Sequence, residues 1–114
     1  MNIYSEERPW GKFEKFVENQ TCTVKLINVN PYSRLSLQYH NKRKEFWKII
    51  EGSAEVEIDE KKYMVNRGDN ITIPLGARHR IKALDEKCLI LEISFGEFDE
   101  SDIIRLEDDY DRIK

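Results

Sequence analysis

Short runs of alternating apolar and polar residues fill most of this chain, and turn-forming residues interrupt them at close intervals. Alternation with a period of two places successive side chains on opposite faces of an extended chain, so the pattern predicts antiparallel β structure. Residues 21–29 form one expected strand and 31–34 a turn. Residues 35–40 form a second strand, with Leu35, Leu37 and Tyr39 on one face and Ser36, Gln38 and His40 on the other. Residues 45–50 and 54–58 follow, separated by Glu51-Gly52, and the charged turn 59–62 leads into 63–65. A turn at Gly68, a strand over 70–73, the tight turn Pro74-Leu75-Gly76, and strands over 79–83 and 88–95 complete the pattern. Many short antiparallel strands must bury their inner faces by packing sheet on sheet or by closing a barrel. The fold class is all-β, with Leu26, Leu37, Ile49, Val56, Ile73 and Leu91 or their register neighbours expected in one core.

A length of 114 residues suits a single domain spanning 1–114. Its barrel is expected over about 21–96, an N-terminal edge strand over 4–17 and an acidic flank over 97–114. In that flank Asp99, Glu100, Asp102, Glu107, Asp108, Asp109 and Asp111 outnumber Arg105 and Arg112, while Ile103, Ile104, Leu106 and Tyr110 are expected to pack part of it against the barrel. A net charge of −3, with basic residues scattered among acidic ones, argues against a nucleic-acid partner. No apolar run is long enough for a membrane span and the first residues lack the apolar stretch of a signal peptide, so no membrane partner and a cytoplasmic location are expected. Cys22 and Cys88 are far apart and form no Cys-x-x-Cys pair; both are expected reduced within strands.

The two histidines change the picture. Gln38 and His40 stand two apart on one strand and leave it on the same face. Glu45 opens the next strand, and His79 follows the rigid Pro74-Leu75-Gly76 turn. Two imidazoles, a carboxylate and an amide oxygen make a donor set that suits Zn²⁺ first, and Fe²⁺, Mn²⁺, Co²⁺ or Ni²⁺ nearly as well. Taken alone, the same residues also fit hydrogen-bonded barrel histidines beside a strand carboxylate.

From Ser33 to Ala83 the spacing resembles the two cupin motifs. His40, Glu45 and Gly52 fall at the intervals of the first motif, with Ser33 in place of its glycine and Gln38 in place of its first histidine. Gly68, Pro74, Gly76 and His79 match the second, where Ala83 replaces an asparagine. Within cupins the chain is similar to the type II phosphomannose isomerases, in the C-terminal isomerase region of enzymes fused to mannose-1-phosphate guanylyltransferase. The similarity runs through Arg8-Pro9-Trp10-Gly11, Leu35-Ser36-Leu37-Gln38-Tyr39-His40, Arg43, Glu45 and Trp47, Ile73 to Arg80, Leu91-Glu92-Ile93, Asp102 to Arg105 and Asp109-Tyr110. It departs where Asn41 and Lys42 stand in place of further histidines and Ser94 in place of a glutamine. Nothing in the chain resembles the glycine-rich strand-to-helix turn of a nucleotide-binding domain.

The resemblance implies a cupin barrel of jelly-roll type, one divalent ion on Gln38, His40, Glu45 and His79, and a homodimer. It also implies an aldose-ketose isomerase acting on a small-molecule sugar phosphate such as mannose 6-phosphate. That reaction needs a base near the carbon-bound proton. Glu92, flanked by apolar neighbours, is the expected base, and Arg80, next to His79, is expected to stabilise the enediolate or hold phosphate. Arg43 and Lys42 are the expected further phosphate contacts. A noncatalytic module binding metal and sugar, or another small metal enzyme such as an oxygenase, would use the same ligands without this base.

Overall fold

A computed structural model describes residues 3–96, 99–110 and 112. In these, the chain runs through β1 (Tyr4–Arg8), β2 (Gly11–Lys15), β3 (Cys22–Val29), β4 (Leu37–Tyr39), β5 (Arg43–Glu51) and β6 (Ser53–Ile58). It continues through β7 (Lys61–Asn66), β8 (Asn70–Ile73), β9 (His79–Ala83), β10 (Cys88–Gly96), a 3₁₀ turn (Glu100–Asp102) and β11 (Ile104–Glu107). The order β3-β10-β5-β8 makes one antiparallel sheet and β11-β4-β9-β6-β7 the other. Their inner faces enclose one core cluster, as the alternation requires.

The filling of that interior changes abruptly along the strands. β5 turns Ile49 and Trp47 inward, then Glu45 and Arg43; β10 turns Cys88 and Ile90 inward, then Glu92 and Ser94; β9 turns Ala83 and Ile81 inward, then His79. Antiparallel register aligns these switches, since Ile49 faces Ile90, Trp47 faces Glu92 and Glu45 faces Ser94. One end of the barrel is therefore a dry plug of Ile49, Val56, Ile81 and Ile90, each fully buried. Such burial contributes roughly 1.5–3 kcal/mol per side chain. The other end is lined with ionisable groups, and Trp47 lies between the two.

Of the six expected core positions, Ile49, Val56 and Ile73 are buried, whereas Leu26 is 64% exposed and Leu37 and Leu91 are half-buried. The cause is register. Gln38 and His40 point inward, so Leu37 between them points out, and Ile90 and Glu92 likewise displace Leu91 from the interior. Ile27 and Ile90, the register neighbours, pack into the core instead.

Segment 4–17, expected as one edge strand, is a hairpin. Pro9 and Trp10 turn it, Gly11 takes φ +143°, and β1 pairs with β2 from Tyr4↔Lys15 to Arg8↔Gly11. It touches the barrel through Phe16, 5.8 Å from the Phe46 ring, and through Glu14, 3.9 Å from the Lys48 ammonium.

The flank after β10 does return to the barrel; of the four apolar residues expected to pack there Ile103 is half-buried, and polar groups tie down the rest of the segment. Ile104, Leu106 and Tyr110 are exposed. Asp102 accepts from the backbone N–H groups of Asn41 and Lys42, Asp109 takes a bidentate bond from Arg34 (2.7 and 2.9 Å), and the Tyr110 hydroxyl donates to the Arg34 carbonyl.

Gly52 ends β5 at φ +83°, and a Cβ there would meet the Lys87 carbonyl oxygen and lie 3.2 Å from the Cys88 Cα. Backbone on both sides leaves nothing soft to yield. Gly52→Ala is expected to cost about 1–3 kcal/mol from the left-handed backbone alone, with the clash adding to it. Urea unfolding should show a lower midpoint at unchanged slope; an unshifted midpoint would contradict this reading of the turn.

Candidate metal centre

His40 follows β4, Glu45 lies on β5 and His79 opens β9, so the three come from both sheets and meet at the polar end of the interior. All three are at most 2% exposed. Each offers one ligand atom, and these atoms lie within 4.8 Å of one another. Glu45 Oε1 is 3.3 Å from His40 Nε2 and 3.4 Å from His79 Nε2.

The opposite edges of the imidazoles fix their chemistry. His40 Nδ1 sits 3.2 Å from the Arg43 carbonyl oxygen and His79 Nδ1 2.9 Å from that of Ala77. A carbonyl can only accept, so each Nδ1 carries a proton, and the neutral ring then points a bare lone pair from Nε2 into the interior. Those two Nε2 atoms and Glu45 Oε1 are buried without a hydrogen-bond partner. Three electron-rich atoms converging out of reach of water are unfavourable by themselves and suit a divalent cation. The residues present therefore fit a metal ion.

Glu45 is held from its other oxygen. Ser94 Oγ donates to Oε2 at 3.3 Å and Arg43 Nε lies 3.4 Å from it. Burial alone would raise this carboxyl; His40 and His79 in their protonated form hold it well below the usual carboxylate range, and a bound dication facing their neutral rings would do the same in their place. Ser94, where the resemblance expects glutamine, thus orients the carboxylate. Gln38 shares the inward face and its Cα pairs with that of His79; its Oε1 accepts from Ser36 Oγ at 3.3 Å.

Glu92 is buried beside this set. Trp47 Nε1 donates to its Oε2 at 3.1 Å, and the Trp47 ring meets the His79 ring edge-on at 5.7 Å. Burial and the neighbouring Glu45 charge push the Glu92 carboxyl up to about 7. A dication beside it would draw the value back down.

The other expected substrate contacts are placed differently. Arg43 is buried against Glu45 and not at the pocket mouth, while Lys42 is exposed, with its backbone N–H held by Asp102 at 2.9 Å. Arg80 leaves β9 on the face opposite His79. Its Nε donates to the Leu35 carbonyl at 3.1 Å, and Nη1 lies 3.6 Å from Glu107 Oε2. A residue adjacent in sequence to a strand ligand faces away from the ligand's site, so Arg80 here ties β9 to the segment before β4 and to β11. Arg80→Ala is expected to lower stability by about 1–3 kcal/mol and leave metal content unchanged. Urea unfolding paired with metal analysis checks this, and lost metal at wild-type stability would count against it.

Similarity to known proteins follows the same outline. The model of the mannose-6-phosphate isomerase C-terminal family matches residues 2–108. The xanthan biosynthesis protein XanB of Xanthomonas campestris is 38% identical over 107 residues, which cover 92% of this chain and 23% of that protein. The mannose-1-phosphate guanylyltransferase ManC of Salmonella typhimurium is 35% identical over 108 residues, 93% of this chain and 22% of that one. The chain thus spans less than a quarter of the length of these relatives. Among solved structures, the capsular polysaccharide assembling protein CapF of Staphylococcus aureus superposes with a TM-score of 0.70 at 19% identity, over 93% of this chain and 34% of that one. The cupin domain of Schizosaccharomyces pombe Cnp3 superposes at 0.65 with 12% identity, over 83% and 64%. These two share the fold.

Proposed function

As the chain belongs to the mannose-6-phosphate isomerase C-terminal family, we propose that it is a metal-dependent aldose-ketose isomerase acting on a sugar phosphate such as mannose 6-phosphate. The observation that carries the reading is the pairing of two unlike groups at one buried end of the barrel: the convergent, partnerless atoms of His40, Glu45 and His79, and the raised carboxyl of Glu92 beside them. A divalent ion held there, Zn²⁺ first among those its donors suit, would supply Lewis acidity to the sugar's carbonyl and adjacent hydroxyl oxygens.

The protein's own part is proton transfer and shelter. Glu92 takes the proton from C2 of the open-chain aldose as O1 is protonated to the enediol. It then returns the proton to C1 as the O2 hydroxyl gives up its own and becomes the ketone, so that the net hydroxyl-proton transfer runs from O2 to O1. Burial raises the Glu92 carboxyl and a bound dication would lower it again, so that it stands as a carboxylate able to take the proton and, once protonated, to return it. Trp47 holds Glu92 by its indole N–H and closes the floor of the pocket toward the apolar plug. Ser94 and Arg43 keep the second oxygen of Glu45 turned away from the reacting end.

The test is a coupled assay for fructose 6-phosphate formed from mannose 6-phosphate by metal-loaded protein. Turnover that disappears on chelation and returns with the ion supports the reading. Fully loaded protein that converts neither sugar phosphate into the other defeats it, leaving a module that binds without catalysis.

A further inference from the structure

β11 is built inside out. Its apolar residues Ile104 and Leu106 are 39% and 36% exposed, whereas the arginine between them is half-buried. Arg105 pairs with Gln38 across the β11–β4 ladder. Directly paired residues of neighbouring strands share a face, so Arg105 leaves the sheet on the side from which Ser36, Gln38 and His40 leave it. Gln38 pairs in turn with His79. Arg105, Gln38 and His79 thus form one inward-facing row across three adjacent strands, with the arginine about 10 Å from the metal-set histidine by strand spacing.

The inner edge of that half-buried guanidinium is unsatisfied. Its Nε is shielded from solvent and has no hydrogen-bond partner among the described residues. Leaving a buried charged donor unpaired is costly, and the fork of an arginine matches the oxygens of a phosphate.

A second cation faces the same space from the other sheet. Lys25 on β3 is half-buried and pairs with Glu92, whose inward carboxylate feels its charge. β3 and β11 are edge strands of their respective sheets, and the residues after β11 line a groove together with the end of β3, through Tyr110 and Arg112 beside Asn28 and Val29. That groove lies at the end of β3 that pairs with Cys88, and from it, along the seam between the two edges, each edge strand runs on to an inward-turned cation at the level of the ionisable groups, Lys25 opposite Glu92 and Arg105 opposite Gln38.

We propose that Arg105, assisted by Lys25, is an anion anchor that holds the phosphate monoester of the sugar at this seam while the sugar's C1–C2 end reaches His40, Glu45 and His79. The identity of the sugar rests on the isomerase reading; the anion site does not. The row from Arg105 to His79 gives the ligand its polarity, charged end at the seam and reacting end on the metal set. A neutral sugar would satisfy only half of it.

The experiment titrates inorganic phosphate, mannose 6-phosphate and mannose into metal-loaded wild type, Arg105→Gln and Lys25→Gln. It follows binding by calorimetry and NMR shift changes, with metal content measured in parallel. Arg105→Gln is expected to weaken inorganic phosphate and mannose 6-phosphate by about 10- to 100-fold, the loss of one charge-assisted pair, and to leave mannose unchanged. Lys25→Gln should produce a smaller loss in the same direction. If the wild type turns over mannose 6-phosphate, KM rises in Arg105→Gln far more than kcat falls.

Wild type that ignores phosphate at tens of millimolar, or Arg105→Gln with wild-type phosphate affinity, overturns the proposal. Should Arg105→Gln fail to fold or to hold metal, Lys25→Gln decides: unchanged phosphate affinity there counts against the anchor and weakened affinity for it. Phosphate binding lost with Arg105 in a protein that never turns over would sink the isomerase reading and leave the anchor standing.

Discussion

Alanine at His40 or at His79 is expected to leave the purified chain without a stoichiometric divalent ion. Each imidazole contributes one of only three partnerless buried atoms among the described residues that converge here, and each is aimed by a carbonyl behind it. Removing either leaves two donors and a void that water fills poorly, so affinity should fall by orders of magnitude. Glu45→Gln separates charge from geometry, because it keeps an oxygen in place but removes the negative charge that offsets a dication. Ser94→Ala, which frees the second oxygen of Glu45, should weaken binding by about 10- to 100-fold. Metal analysis reads the first effect and thermal melting the rest. Free ion at a hundred times its dissociation constant stabilises the folded chain by about 2.7 kcal/mol. A wild type whose melting temperature ignores Zn²⁺, Mn²⁺, Co²⁺, Ni²⁺ and Fe²⁺ would falsify the metal site outright.

Glu92→Gln should reduce isomerase turnover by about 10²- to 10⁴-fold while metal content stays at the wild-type level. The substitution isolates the proton. An amide is close in size to the carboxyl, and its oxygen still accepts from Trp47 Nε1, so the packing of the pocket floor survives. A role for Glu92 confined to supporting Trp47 predicts near-normal kcat in this variant and a large loss in Trp47→Phe. Full activity in Glu92→Gln would remove it from the chemistry and move the search for a base elsewhere in the pocket.

The strands were legible because alternation survives wherever one face is buried, and Gly52, Gly68 and the Pro74-Leu75-Gly76 turn punctuate them plainly. Two-residue spacing puts only Gln38 and His40 on a shared face; the set His40, Glu45 and His79 was legible through the resemblance to the cupin motifs, because residues distant in sequence meet only once the strands are paired. What failed to show was which face is the interior. Treating Leu37 and Leu91 as core beside inward Gln38 and Glu92 asks one strand to point both ways, and the polar residues take the inside because this end of the barrel is a site. Arg80, next to His79 in sequence, faces away from it because adjacent strand residues alternate, whereas Arg43, two residues before Glu45, shares its inward face. The inward turn of Arg105 is not legible from its neighbours, because Ile104 and Leu106 suggest an arginine in water and only register with β4 reverses that.

The ladder between β4 and β9 has one pair of partners, Gln38↔His79, in contrast to the long ladders of β10. The segment that carries His40 is thus fastened to its sheet on that side more weakly than any strand around it. An ion gripped by His40, Glu45 and His79 ties that segment to both sheets at once, as a rivet closes a seam. Amide protons of residues 36–42 should therefore exchange with solvent much faster after chelation, while those of β5 and β10 remain protected, so that local opening and metal release become a single event.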